Sequence, residues 1–306
     1  MDLTALLDVA PPRPPADFAT FWRARHRRAL RLDPNPWLGA PIGEDGDYLW
    51  HDLRYASSDG VEIAGWLALP RGGGIERGVI VAHGYGGCAP PVAPPGLART
   101  ALLLPCLRGL GRSALPGVAA DPWHHVLHGI RYREDYILGG CVDDLWLAVS
   151  ALLALLPRSA WHVACLGTSF GGGISALAAP WDERVTRLIL HIPSFGHQSL
   201  RLTLPCVGSG EAVRRHQREH PGFNLMETLA YYDAASAAGF LRIPTLVAPA
   251  LFYPVVPPPG QFAIHNAIAP RLRRLFVLEA GHFEHAGSAA RLEQLQREVA
   301  DFVMAT

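Results

Sequence analysis

The chain has 306 residues, of which 49% are hydrophobic and 18% are charged, and its formal net charge is zero at pH 7. This composition predicts a large buried core and excludes the basic surface that is typical of nucleic-acid-binding proteins. Every basic residue other than histidine is Arg, which also excludes mechanisms that need a Lys amine.

The N-terminal residues do not resemble a secretory signal, and no segment is predicted to span a membrane. The five cysteines are far apart in the sequence and form no C-x-x-C pair, which favours free thiols. We therefore expect a cytoplasmic protein that has neither nucleic-acid nor membrane partners.

The predicted elements begin with a Pro-rich arm at 1–14 and an amphipathic helix at 16–32. Alternating segments at 48–55 and 61–70 flank the turn SSDG and predict a β-hairpin. Further strands are predicted at 78–84, 100–105, 161–167, 185–193, 243–251 and 272–280. Helices are predicted at 136–156, directly after Ser169, and at 286–304.

This alternation of strands and helices predicts an α/β fold with a mostly parallel, doubly wound sheet. The helical, polar region 194–238 interrupts the alternation. We interpret it as a cap insertion within a single domain that spans residues 1–306.

The sequence GTSFG at 167–171 matches the G-x-S-x-G pattern of a nucleophile elbow, between a predicted buried strand and a helix rich in small residues. Ser169 is therefore the candidate nucleophile; the alternative is a serine that only caps the helix. The candidate base is His282, which follows the last predicted strand, and His285 is its rival.

The glycine-rich sequence HGYGG at 83–87 follows an early strand, where α/β-hydrolases supply an oxyanion N–H group. We assign one such group to Tyr85 and the other to Phe170, directly after the nucleophile. A glycine-rich turn without a catalytic role is the alternative.

Several motifs together resemble the acetyl xylan esterase and cephalosporin C deacetylase family, carbohydrate esterase family 7. They are DF-x-x-FW at 17–22, the hairpin from Asp59 to Pro70, HGYGG, RGLGRS at 108–113, GTSFGGG, and segments at 231–247, 256–268 and 281–282. The resemblance implies an α/β-hydrolase fold with an N-terminal helix and hairpin, and a homo-oligomer. It also implies removal of acetyl groups from sugars or cephalosporin-like esters, which are small-molecule substrates. We expect that no cofactor or metal is needed.

By position, Ser169, His282 and Tyr85 are similar to the family's nucleophile, base and oxyanion residue. Two family glutamines are replaced, one by Leu110 in the RGQ motif and one by Phe170. The second replacement leaves the backbone N–H in place and is expected to make the pocket more apolar.

The family's catalytic acid is also replaced, because Tyr253 occupies its place shortly before Pro257 and Pro258. Three interpretations remain open. A displaced carboxylate could orient His282; the candidates are Glu279, Glu284 and Asp233. A Ser-His dyad could instead be supported by Tyr253 or by a backbone carbonyl. Alternatively, the protein binds a ligand or partner without turning it over.

Two histidine clusters fit metal-site spacing. His216 and His220 match H-x-x-E-H, but their Arg-rich surroundings favour a solvated helix face. For His124, His125 and His128, a surface or substrate-facing role is expected rather than a set of ligands. The sequence therefore predicts a serine esterase that hydrolyses small acyl esters, with a catalytically impaired binding protein as the alternative.

Overall fold

The structure is a computed structural model that describes residues 1–88, 96–157 and 162–305. Its strands are β1 (Trp37–Asp45), β2 (Tyr48–Ala56), β3 (Glu62–Pro70), β4 (Arg77–Ala82), β5 (Thr100–Pro105), β6 (Val163–Thr168), β7 (Val185–His191), β8 (Thr245–Ala248), β9 (Ala250–Phe252), β10 (Arg273–Leu275) and β11 (Leu278–Ala280). Its helices are α1 (Leu3–Leu7), α2 (Phe18–Ala29), α3 (Pro122–His125), α4 (Ile137–Leu155), α5 (Phe170–Ala178), α6 (Gln198–Arg201), α7 (Ser209–Glu219), α8 (Met226–Leu229), α9 (Ala234–Ala238), α10 (Pro258–Ala267) and α11 (Ser288–Met304).

Nine strands form one sheet in the order β1-β2-β3-β5-β4-β6-β7-β8-β10. Along this order, the pairs from β1 to β5 are antiparallel, and the pairs that join β5, β4, β6, β7, β8 and β10 are parallel. The α/β-hydrolase fold, with its mostly parallel sheet and its β2–β3 hairpin, is thereby confirmed. Because parallel strands end at the same edge, β4, β6 and β7 deliver the residues that follow them to one place.

Two apolar clusters cover the two faces of the sheet. Adjacent residues of a strand divide between them: Ile80 joins the cluster beneath α4 and α5, and Val79 joins the one beneath α11. Successive side chains of a strand point to opposite faces, so burial of both neighbours requires helices on both sides of the sheet. The doubly wound arrangement follows from the apolar runs in these strands.

Helix α4 is the long core helix that the sequence predicts at 136–156. By length and composition it could cross a bilayer, but 83% of its apolar window is buried inside the protein. Gly139 and Gly140 lie in its first half because a Cβ at either position would collide with a guanidinium, that of Arg25 or that of Arg108. These arginines pair with Asp143 and Asp144 of the same helix.

The predicted strands at 243–251 and 272–280 are each divided in two. Strand β8 pairs with β10, and β9 pairs with β11 in a separate two-stranded sheet. The first division falls at Pro249, which has no N–H group to donate to a ladder. The predicted strand at 161–167 is β6, except that residue 161 lies outside the described residues.

Four elements were not predicted. They are α1 within the Pro-rich arm, the edge strand β1, the short helix α3, and α10. The region 194–238 carries the short helices α6, α7, α8 and α9, and α9 packs against α5 and α10. Its role as a cap stays a prediction.

Candidate active site

Ser169 lies at a strained turn between β6 and α5. Its backbone has φ 51° and ψ −110°, in the positive-φ region that side-chain-bearing residues rarely adopt, and the residue is 8% exposed. A Cβ at position 171 would lie 2.3 Å from the carbonyl oxygen of Ala82, and one at 167 would lie 2.4 Å from that of Gly171. The glycines of GTSFG are therefore needed for this turn, whose strain is typical of functional sites.

The loop after β4 is joined to this turn. The N–H group of Gly171 donates to the carbonyl oxygen of His83 at 3.0 Å. His83 in turn accepts from the N–H group of Leu107 through Nε2 at 3.0 Å, which places its own proton on Nδ1, 2.8 Å from the carbonyl oxygen of Gly84. Burial lowers the pKa of His83, in agreement with this neutral imidazole.

The two candidate oxyanion donors are brought to the same turn by these contacts. Phe170 is the first residue of α5, so its N–H group is one that the helix cannot satisfy internally. In the described contacts, the backbone N–H groups of Tyr85 and Phe170 have no hydrogen-bond acceptor. Free N–H groups beside a serine can stabilise the negative charge that develops on an ester oxygen.

The side chain of Phe170 is packed inside the protein and is fully buried. It stacks on the ring of Tyr85, with centroids 4.1 Å apart and an interplanar angle of 28°, and meets Phe195 edge to face. Phe170 therefore contributes to holding Tyr85 in place.

His125 fixes the other end of Tyr85. The tyrosine hydroxyl lies 3.0 Å from Nδ1 of His125, and Nε2 of that ring lies 3.0 Å from the carbonyl oxygen of Arg108. Since a carbonyl only accepts, Nε2 carries the proton, and Nδ1 accepts from Tyr85.

The expected surface or substrate-facing role is wrong for His125, which is fully buried, although His124 and His128 are exposed. The physical reason is the cap of α3. Asp121 binds the N–H groups of Trp123 and His124 and also the ring of His124, which keeps that ring outside. The next side chain, His125, then points inward. The sequence did not indicate the contact between His125 and Tyr85, because the two residues are 40 positions apart in the chain.

Arg108, the first residue of the RGLGRS motif, forms a buried ion pair and hydrogen bonds inside the protein. Its guanidinium lies 2.7 Å from Asp144 and also binds Ser57 and Ser58 in the turn before β3. The arginine side chain is 5% exposed and the Asp144 side chain is fully buried. This ion pair fixes the carbonyl group that holds His125.

His282 follows β11, as the sequence predicts, and its partner is Tyr253. The tyrosine hydroxyl lies 3.0 Å from Nδ1 of His282, and the two rings meet edge to face at 5.5 Å. Tyr253 is 4% exposed, whereas His282 is exposed. Gly281 makes this contact possible, because a Cβ there would lie 2.3 Å from the tyrosine ring.

Burial raises the pKa of Tyr253 above its ordinary value of 10.0, and the influence of the Ser169 side chain counteracts part of the rise. Although His282 is exposed at its surface side, partial desolvation also lowers its pKa below the ordinary value of 6.5. Near neutral pH the phenol is therefore protonated, and the imidazole is neutral and able to accept a proton.

Of the three candidate carboxylates, Glu279 and Glu284 line a cavity together with His282, whereas Asp233 is not part of that lining. Asp233 is buried, caps α9, and accepts from the N–H group of Gln198 at 2.6 Å. Glu279 lies 3.9 Å from Arg291, and Glu284 is exposed. Among the described residues, none of the three forms a hydrogen bond with His282. The group that contacts its Nδ1 is the phenol of Tyr253.

A cavity of about 320 Å³ lies beside His282. Its lining includes His191, the last residue of β7, together with Phe283 and Leu292. The carbonyl oxygen of His191 accepts from the N–H group of Ser169 at 2.9 Å. Burial lowers the pKa of the His191 side chain to about 4, so this ring is neutral at neutral pH.

In the described parts of the chain, no group of three or more His, Cys, Asp or Glu residues is arranged to hold a metal ion. The five cysteines are free thiols. The rings of His216 and His220 lie 4.2 Å apart on and just after α7.

Comparison with known proteins matches this chain to one family. The model of the family described as acetyl xylan esterase (AXE1) matches residues 1–298. A solved acetyl xylan esterase from Paenibacillus sp. R4 is 22% identical, with a TM-score of 0.82 over 97% of this chain and 99% of that one.

Two other solved structures share the fold. Acetyl xylan esterase 1 from Thermoanaerobacterium sp. JW/SL YS485 is 20% identical, with a TM-score of 0.82 over 98% of this chain and 99% of that one. The esterase Pf2001 from Pyrococcus furiosus is 13% identical, with a TM-score of 0.58 over 86% of this chain and 97% of that one. At these identities the likeness to solved structures supports the fold alone.

Proposed function

This chain belongs to the acetyl xylan esterase family, a family of carboxylic ester hydrolases, and on that premise we propose that it acts through an acyl-Ser169 intermediate. The substrates are small acyl esters, with acetyl esters of carbohydrates or related metabolites first among them. The observation that carries the proposal is Ser169 itself: a nearly buried serine at a positive-φ turn, where the backbone N–H groups of Tyr85 and Phe170 have no acceptor among the described contacts.

In the proposed reaction, the hydroxyl oxygen of Ser169 attacks the carbonyl carbon of the ester, and His282 receives the hydroxyl proton. The N–H groups of Tyr85 and Phe170 stabilise the tetrahedral oxyanion. The proton then passes to the departing alcohol as its C–O bond breaks. Water repeats the sequence on the acyl-enzyme and releases the acid.

The test compares hydrolysis of p-nitrophenyl acetate by the wild type and by Ser169→Ala, with longer acyl esters and acetylated xylo-oligosaccharides as further substrates. We expect hydrolysis by the wild type to exceed that by Ser169→Ala by about 1,000-fold or more. The rate should also fall as the acyl chain lengthens. Equal rates for the two proteins would contradict the esterase proposal.

The two histidines after β11 supply a matched pair of variants. His282→Ala should lose most of the activity, because its imidazole is the proposed base and is held by the buried phenol of Tyr253. His285→Ala should keep it, because in the described structure that exposed ring forms a hydrogen bond with the neighbouring carbonyl of Ala286 and none with Tyr253. The opposite result would transfer the role of base to His285.

The alternative function is that of a ligand-binding protein without turnover. It is favoured by Tyr253, which supplies no negative charge to a protonated His282. An inactive wild type that is as well folded as Ser169→Ala would support this alternative, whereas acetyl ester turnover that depends on Ser169 would exclude it.

A further inference from the structure

The guanidinium of Arg201 is buried without a carboxylate partner. This arginine is the last residue of α6 and is 7% exposed, and no Asp or Glu of the described residues forms an ion pair with it. The segments outside the described residues contain no Asp or Glu. Buried charges in proteins are normally paired or bound to a ligand, so this guanidinium indicates a site for an anion.

The contacts of the guanidinium are with neutral groups. Its Nη1 donates to the side-chain oxygen of Gln198 at 3.4 Å, and its Nη2 donates to the hydroxyl of Ser209 at 3.1 Å. Its Nε is buried and has no hydrogen-bond partner among the described residues. The charge also lies over the ring of Phe195, 5.2 Å from its centroid. None of these contacts supplies the opposite charge.

The carboxylates of the same region are bound to other groups. Asp233 caps α9 and also accepts from the N–H group of Gln198. Glu211, in the first turn of α7, pairs with Arg214 and Arg218. The positive charge of Arg201 is therefore left for a partner from outside the described chain.

The first turn of α7 lies against this guanidinium. Nη2 binds Ser209, the first residue of the helix, and a Cβ on Gly210 would lie 3.3 Å from Nε and 3.4 Å from Nη2. Among the described contacts, the N–H groups of Ser209, Gly210 and Glu211 have no acceptor, and the N-cap Gly208 has no side chain to supply one. Free N–H groups at a helix start favour anions, so two sources of positive potential are adjacent.

This place is next to the active site. The N–H group of Val207 donates to the carbonyl oxygen of Pro254, the residue after Tyr253. The ring of Phe195, on which the guanidinium lies, meets the ring of Phe170 edge to face at 5.9 Å. The start of α7 is thus connected both to the turn at the nucleophile and to the loop that holds the base. Because Val207 is exposed, this end of the helix is accessible from the surface.

We propose that Arg201 and the first turn of α7 bind a carboxylate group of the substrate, so that the protein hydrolyses acyl esters that carry an acidic group. This inference rests on the proposed esterase function. A guanidinium presents its N–H donors in a planar fork that matches the two oxygens of a carboxylate, and backbone N–H groups at a helix start can bind the same oxygens. The bound carboxylate supplies the negative charge that Arg201 lacks.

The first test compares esters that differ only in charge. They are 4-acetoxybenzoate and 4-acetoxybenzamide, together with acetoxyalkanoates of increasing chain length and their amides, which vary the distance between the charge and the ester. We expect kcat/KM for the acid to exceed that for the matching amide by about tenfold or more at the spacing that fits, mainly through a lower KM. Acids that are no better than their amides at every spacing would overturn the proposal.

The variant Arg201→Met removes the charge and keeps an unbranched side chain. The ratio of kcat/KM between acid and amide should then fall to about one. The matched control is Arg215→Met, which removes the same charge from an exposed pair with Glu219 on α7 and should keep the ratio of the wild type. An unchanged ratio in Arg201→Met, or an equal loss in Arg215→Met, would overturn the proposal.

A measurement on the wild type needs no variant to fold and uses inorganic phosphate as the probe. Phosphate should raise the temperature of thermal unfolding above that in sodium chloride of the same ionic strength, because it binds the folded site. It should also inhibit hydrolysis of the acid more strongly than that of the amide, because only the acid uses the site. Equal inhibition of both esters, or the same unfolding temperature in both salts, would overturn the proposal.

The outcomes distinguish the two proposals. Equal rates for the wild type and Ser169→Ala on all esters would overturn the esterase function and, with it, the carboxylate subsite. Hydrolysis that depends on Ser169 but shows no preference for the acids would overturn the subsite alone and leave the esterase function standing.

Discussion

Replacing Arg108 with methionine should destabilise the fold strongly, because it leaves a charge buried without its partner. The guanidinium lies 2.7 Å from Asp144, whose side chain is fully buried. Among the described contacts, that carboxylate then keeps the hydroxyl of Ser57, at 2.6 Å, and the backbone N–H group of residue 108, at 2.9 Å. Breaking a buried ion pair by removing one partner costs about 3–5 kcal/mol.

The double variant Arg108→Met with Asp144→Leu tests the reasoning, because it removes both charges at once. Apolar residues of similar size often replace a buried pair at little cost, so the double variant should recover most of the lost stability. The exposed pair of Arg54 and Glu62 supplies the control: Arg54→Met should cost no more than about 1 kcal/mol.

The assay is urea unfolding followed by circular dichroism at neutral pH, with the free energy of unfolding compared at an unchanged m-value. The reasoning is refuted if Arg108→Met costs less than about 1 kcal/mol, or if the double variant is as unstable as the single one.

Three further outcomes are expected. His125→Phe should lower kcat about fivefold, because losing the hydrogen bond that holds Tyr85 costs about 1 kcal/mol. Steady-state kinetics on p-nitrophenyl acetate measure this effect, and an unchanged kcat would show that His125 does not position Tyr85. The acid limb of the pH profile of kcat/KM should have its midpoint below pH 6.5, because desolvation lowers the pKa of His282 and the base works only when it is neutral. A measured midpoint above pH 6.5 would contradict this prediction. Tyr136→Phe should leave the stability unchanged or raise it by about 1 kcal/mol, because its hydroxyl has no partner among the described residues; a loss in thermal unfolding would reveal an unrecognised contact.

The parts of the site that the sequence predicts are those with local causes. The turn at Ser169 depends on a strand, two glycines and a helix that are contiguous in the chain, so G-x-S-x-G with its flanks was sufficient to place it. The position of His282 after the last strand, and of Tyr253 before two prolines, follows from order along the chain in the same way.

The contacts between distant segments were not predictable from the sequence. His125 and Tyr85 approach only because α3 and the loop after β4 meet in the folded protein. The choice among Tyr253, Glu279, Glu284 and Asp233 as the partner of His282 likewise depended on where each side chain points, which the sequence does not specify.

Of the missed elements, α10 carried a local signal in the sequence, whereas the signal for β1 was weak. Helix α10 begins at Pro258, and proline is common in the first turn of a helix, so the proline run at 257–259 could have been read as a helix start. Strand β1 is mostly exposed and has a register shift at Pro41, both typical of an edge strand, but its glycines and proline weaken the alternation on which strand prediction depends.

The identity of the nucleophile is tested most directly by the mass of the intact protein after treatment with a fluorophosphonate. Ser169 as an activated nucleophile predicts one adduct per chain in the wild type, located on the peptide that contains Ser169, and no adduct in Ser169→Ala. An unmodified wild type, or an equal adduct on Ser169→Ala, would contradict the assignment of Ser169 as the nucleophile of an esterase.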